Sequence, residues 1–126
     1  MRLITLAAAG LLLVPAAASA QSMNAEQFHR RATALQKKGA MAIFSRGEIK
    51  TLMNEGKAAG ERARAQRLAA VKAGGKLRYC PPPGPGSMNS DEFIKRLGAI
   101  PQAQRARIDM TEATNRILAG KYPCKA

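Results

Sequence analysis

Tryptophan is absent from the 126 residues, and the aromatic complement is three Phe and two Tyr. A core must therefore be assembled from Leu, Ile, Met and Ala. Such a core is thin, because a chain of this size buries only about two-thirds of the surface its unfolded form exposes. A covalent staple would help it. Histidine occurs once, at His29, and cysteine twice, at Cys80 and Cys124, with no CxxC pair. The lone His cannot complete a zinc site with two cysteines. Acids are scarce too: eight Asp and Glu stand against twenty-one Lys and Arg.

The first twenty residues read as an export address. Met1-Arg2 is a short basic start, and Leu3 to Val14 is an apolar run too short to span a bilayer. Pro15 breaks the run, and Ala18-Ser19-Ala20 is the small-x-small pattern that signal peptidases accept. Cleavage is expected after Ala20, with an uncleaved anchor as the alternative. Residues 21–126 then form one small domain. Removing residues 1–20 takes away one cation, Arg2, and leaves twenty Lys and Arg against eight Asp and Glu. Export supplies an oxidising compartment, so Cys80 and Cys124 are expected to pair. A loop of that length adds about 4 kcal/mol of stability on the chain-entropy argument. No later segment is apolar enough to span a membrane.

Three stretches carry the signature of a helix start. Asn24 with Gln27 is framed by Met23 and Phe28; Ser45 with Glu48 by Phe44 and Ile49; Asn89 with Glu92 by Met88 and Phe93. In each, a capping side chain precedes an acid or amide by three residues, between two apolar residues placed for a staple. Periodicity predicts helices over about 25–38 and 46–73, stopped by Gly39 and by Gly74-Gly75. On the second helix Ile49, Leu52, Met53, Gly56, Ala59, Gly60, Ala63 and Ala70 share a broad face. Its bare middle, Gly56 to Ala63, predicts a backbone crossing closely there, or else glycines that are merely tolerated. The prolines at 81–83 hold an extended strap. A third helix follows Asn89 and buries Phe93, Ile94 and Leu97. Pro101 to Arg107 makes a short turn of helix. Asp109 then caps a last helix running to Ala119, with Gly120 as its left-handed stop and Tyr122 packing back. Strand alternation is missing, so the fold class is all-α, a small bundle of about four helices.

Catalysis has little to work with. His29 lies among arginines in the first helix. Asp91-Glu92 is explained as first-turn acids that favour the helix dipole. Ser45, Ser87 and Ser90 are explained as cap or loop residues. Gly84-Pro85-Gly86 lacks the lysine and the preceding strand of a phosphate loop. The chain is expected not to be an enzyme, and no cofactor is implied.

The arrangement Tyr79-Cys80-Pro81, Gly86, a helix carrying Phe93 and Leu97, Ile100-Pro101 and a terminal Tyr122-Pro123-Cys124 resembles the Rap/Tai family. These are small exported helical proteins, including periplasmic immunity proteins of type VI secretion. The likeness covers residues 79–124. It implies that Cys80 and Cys124 are the family's disulfide and that Ile117 and Leu118 form its last buried turn. It also implies a binding activity: occlusion of a toxic effector, typically one that cleaves peptidoglycan. Family members often form dimers.

The expected partner is therefore another protein, an effector or a second copy, with the protein in the periplasm or secreted. No nucleic-acid partner is expected of an exported protein. Two other readings stand beside this one. The first is a helical envelope or chaperone-like protein. The second is anion binding to lipid headgroups through Lys57, Arg64, Arg67, Lys72, Lys76 and Arg78.

Overall fold

The computed structural model describes residues 22–84, 86 and 88–125. The expected export segment and Ser87 lie outside the described residues. Five α-helices follow one another: α1 (Ala25–Lys38), α2 (Arg46–Ala73), α3 (Ser90–Ala99), α4 (Gln102–Arg105) and α5 (Met110–Lys121). A 3-10 helix, Gly39–Ser45, joins α1 to α2. As α4 is a single turn, the bundle is built by four helices, all-α as expected.

The ends of α1 and α2 follow local chemistry. The Asn24 side chain accepts from the N–H groups of Glu26 and Gln27. Gly39 and Gly74 end the two helices at φ of 53° and 67°, a backbone state that favours glycine. Asn89 and Asp109 cap α3 and α5 through the N–H groups of Glu92 and Glu112.

Other local expectations are corrected. Ser45 makes no capping bond, because the 3-10 helix runs straight into α2 and leaves no extended residue before it. Its Oγ accepts from Lys38 Nζ at 2.9 Å. Phe44 is 80% exposed and staples nothing. Gly120 is not a left-handed stop. It lies inside α5, which continues to Lys121, and Tyr122 N–H still reaches the Leu118 carbonyl at 2.7 Å. Pro101 stands at the N-cap of α4 rather than its first turn.

Ala25, Phe28 and Ala32 of α1, Leu52 and Ala59 of α2, Leu97 of α3, and Met110, Ala113 and Ile117 of α5 form one buried cluster. Ile117 is buried as the resemblance implied, whereas Leu118 is half-buried. Helix α5 packs mainly along α2, where fully buried Ala59 and Ala63 present no bulk. The expected close crossing at the glycines is absent. A Cβ built on Gly56 or Gly60 meets nothing within 4 Å.

A polar seam runs beside this contact. Arg62 Nε donates to Thr111 Oγ1 at 2.7 Å, and Asn115 Nδ2 donates to Gln66 Oε1 at 2.8 Å. Both long-range pairs spare buried polar groups the penalty of going unpartnered. Phe28 and Phe93 meet edge to face with ring centres 6.1 Å apart, tying α1 to α3.

The starts of α1 and α5 are joined by an antiparallel bridge between the two N-caps, Asn24 and Asp109. Ala25 N–H donates to Ile108 O at 3.0 Å, and Met110 N–H to Met23 O at 2.7 Å. Cys80 and Cys124 are bonded, with Cα atoms 4.9 Å apart across 44 residues. Beside them Cys80 N–H donates to Tyr122 O at 2.8 Å, and Tyr79 is buried. The strap is thereby held to the end of α5.

Candidate binding groove

Among the described residues the core leaves open a groove of about 420 Å³ between α1, α2 and the start of α3. Its α1 wall is Phe28, Ala32 and Leu35. Its α2 wall is Ile49, Leu52, Met53, Gly56 and Lys57. Met88, Asn89, Ser90, Phe93 and Ile94 close the third side. Phe28 and Leu52 are the buried floor, whereas Met53 is 52% exposed on the lip. These residues sit together because α1 and α2 run on either side of a short 3-10 corner and α3 returns over them. The apolar stripes of three helices are too thinly furnished with large side chains to meet completely.

Charge divides in an orderly way across the molecule. Five of the glutamates turn inward onto cations. Glu26 pairs with Arg105 and Arg30, Glu48 with Arg31, Glu55 with Arg62, Glu92 with Arg96 and Lys121, and Glu112 with Arg78 and Arg116. The fork from Arg78 holds the Glu112 carboxyl at about 2, down from an ordinary 4.5, against the opposing effect of burial. Hydrogen bonds from Arg105, Arg31 and Lys121 likewise lower the carboxyls of Glu26, Glu48 and Glu92 below their ordinary value. Helix α2, in contrast, carries exposed Arg46, Lys50, Lys57, Arg64 and Lys72, which have no acid partner among the described residues.

The six cations expected to share an anion-binding face separate into two groups. Lys57, Arg64, Lys72 and Lys76 are exposed. Arg78 is held in the fork with Glu112 instead. Arg67 is half-buried, its guanidinium 5.7 Å from the centre of the Tyr79 ring. Arg78 is exposed too, but its charge is taken up by Glu112, and Arg67 is stacked and half-buried, so neither adds a free charge to the set.

His29 is half-buried against Gly98, with Nε2 3.1 Å from the position a Cβ would take there. Burial lowers its pKa, Arg105 adds to the lowering, and Glu26 opposes it. The Thr33 hydroxyl donates to the His29 backbone carbonyl at 2.8 Å, not to its ring. Among the described residues, no three His, Cys, Asp or Glu gather where a metal ion could sit.

The residue that reading the sequence missed is Arg105. Its Nε donates to Glu26 Oε2 at 2.7 Å, and its Nη1 donates to the carbonyls of Gly98 and Ile100. It thereby positions α3, and with it one wall of the groove, against α1. No local pattern marks it, since both ends of the contact are distant in sequence. None of the described helices is long and apolar enough to cross a membrane. No family model matches the chain, and no curated protein or solved structure matches it either.

Proposed function

We propose that the protein is an exported, periplasmic, non-enzymatic binding protein that acts as an immunity-type inhibitor, occluding a secreted cell-wall-degrading effector. The observation that carries this reading is the open apolar groove between α1, α2 and α3, bordered by exposed cations on α2. Apolar clefts with few polar groups are where proteins take partners, and an amphipathic helix laid into a groove is a recurring mode. The disulfide supports export to an oxidising compartment. The immunity role itself comes from the Rap/Tai resemblance over residues 79–124.

The test is capture by mature, oxidised protein from an envelope extract, followed by a cell-wall hydrolysis assay. One stoichiometric protein that the chain inhibits is the expected result. A chain that captures nothing, and leaves every co-encoded secreted hydrolase active, overturns the reading.

A second reading has its own observation. Leu68 and Val71 are about half exposed on α2 beside Arg64 and Lys72. Interleaved apolar and basic side chains suit an anionic lipid surface. Binding to anionic vesicles should then weaken steeply as salt shortens the Debye length from about 30 to 8 Å; salt-insensitive binding rules it out.

A further inference from the structure

The two lips of the groove differ in charge. On α2, Met53 stands between Lys50 and Lys57, three residues after one and four before the other, a spacing that places all three on one helix face. Lys50 and Lys57 are exposed and have no acid partner among the described residues. The opposite lip, from α3, offers uncharged Asn89 and Ser90, with Asp91 exposed beside them. On the outward face of α2 the one acid is Glu61, a turn beyond Lys57. Between the lips the floor is apolar.

We infer that this groove is the docking site for an amphipathic helix of a protein partner, its apolar stripe on Phe28, Leu52 and Met53 and its acidic flank along Lys50 and Lys57. The inference rests on the binding-protein reading and adds the chemistry of the partner and the direction in which it lies. Charge complementarity selects the occupant. Five of the eight carboxylates are tied to the chain's own cations and the α2 lip keeps Lys50 and Lys57, so the field outside that lip is positive and favours an acidic flank. On the α3 lip the charge nearest Asn89 and Ser90 is acidic Asp91, which makes the recognition one-sided and fixes the bound helix in one orientation.

Two other occupants fit less well. A second copy meeting the same face about a two-fold axis would bring Lys50 and Lys57 of both copies together in an already basic pair. A bilayer surface is flat on this scale and would leave a concave groove of about 420 Å³ unfilled.

The experiment uses the oxidised chain and two synthetic helices of about eighteen residues, long enough for five turns. Both carry Leu at i, i+3, i+4 and i+7. One has Glu at its remaining positions and the other Lys. Binding is read by fluorescence anisotropy, and the location by methyl shifts of Ile49, Met53 and Ile94. The Glu helix should bind at least about tenfold more tightly than the Lys helix and shift those methyls. The double variant Lys50→Glu, Lys57→Glu should reverse the preference, a gain that unfolding cannot produce. Met53→Asp, at a half-exposed position, should weaken both.

Equal binding of the two helices overturns the inference, as does an unreversed preference in the double variant. So does methyl protection that appears only with a sedimentation mass of two copies, or only with phosphatidylglycerol vesicles. The outcomes separate this site from the reading it rests on. If an envelope partner is captured equally well by the charge-reversed chain, the groove assignment fails and the binding function stands.

Discussion

Glu26 and Arg105, 79 residues apart, form a buried ion pair with Nε 2.7 Å from Oε2 and both side chains about one-tenth exposed. The second donor of Arg105 ties off the Gly98 and Ile100 carbonyls, which the end of α3 leaves without partners. One guanidinium thus closes α1, α3 and α4 together. Arg105→Ala should destabilise the fold by about 3 kcal/mol, because it leaves a buried carboxylate and two carbonyls behind. Arg105→Lys should recover little, since a single ammonium cannot reproduce the fork. The double variant Glu26→Leu, Arg105→Met should recover most of the loss. Urea unfolding of the set measures this; a loss below about 1 kcal/mol for Arg105→Ala would contradict the role given to the pair.

Acid should unfold the protein from below about pH 4.5. The folded carboxyls of Glu26, Glu48, Glu92 and Glu112 lie below their ordinary 4.5, with Glu112 at about 2. A lowered folded pKa means that the unfolded chain takes up protons first. The stability is therefore complete above 4.5 and drains as pH falls toward 2. His29, also lowered, acts in the same direction, its contribution shrinking below its ordinary 6.5. Thermal melts at pH 7, 4.5 and 2.5 should show a small first drop and a large second one. Arg78→Ala should raise the Glu112 pKa in an NMR titration, with Arg116 retaining part of the lowering.

Reduction of the Cys80–Cys124 bond should lower stability without erasing the helices. The chain-entropy argument gives about 4 kcal/mol as an upper figure. Tyr79 and the Arg67 that stacks on it should become exposed first, since the strap is held to α5 by this bond and by the Cys80–Tyr122 hydrogen bond. Near-ultraviolet dichroism of the double Ala variant should lose its tyrosine signal while far-ultraviolet helicity persists. Loss of helicity at the same denaturant concentration as the tyrosine signal would show that the staple supports the whole bundle.

Gly60→Ala should stabilise α2 by about 1 kcal/mol, because the new methyl meets open space and the helix interior gains backbone rigidity. Gly74→Ala should do the reverse, as its φ of 67° favours glycine. Opposite shifts in melting temperature test both, and a loss at Gly60 would mean that a partner or another contact occupies that space.

The limits of α1 and α2 were legible because they depend on neighbours in sequence: Asn24 caps from within two or three residues, and Gly39 and Gly74 turn the backbone by themselves. Ser45 and Phe44 carried the same letters and did something else. Helical geometry already occupied the residues before them, and Arg31, seventeen residues away, captured Glu48. The Gly120 stop failed for a related reason, since α5 continues to Lys121 and its end is held to Cys80 through Tyr122. Of the groove, the apolar lining was legible residue by residue as helix faces. Its emptiness was not, because that depends on how three faces meet. The cation set was legible as charge alone; its division followed only once Glu112 and Tyr79 were seen to take Arg78 and Arg67.

The bridge at the N-caps has a bearing on the order in which the molecule can form. Asn24 donates to the Ala106 carbonyl, 82 residues later in the chain. A ribosome delivers α1 first, so this helix can cap itself at once but has to wait for its tie to α4 and α5 until nearly everything else has been made. Its apolar face, Ala25, Phe28 and Ala32, cannot be covered fully before Leu97, Met110 and Ile117 have been made.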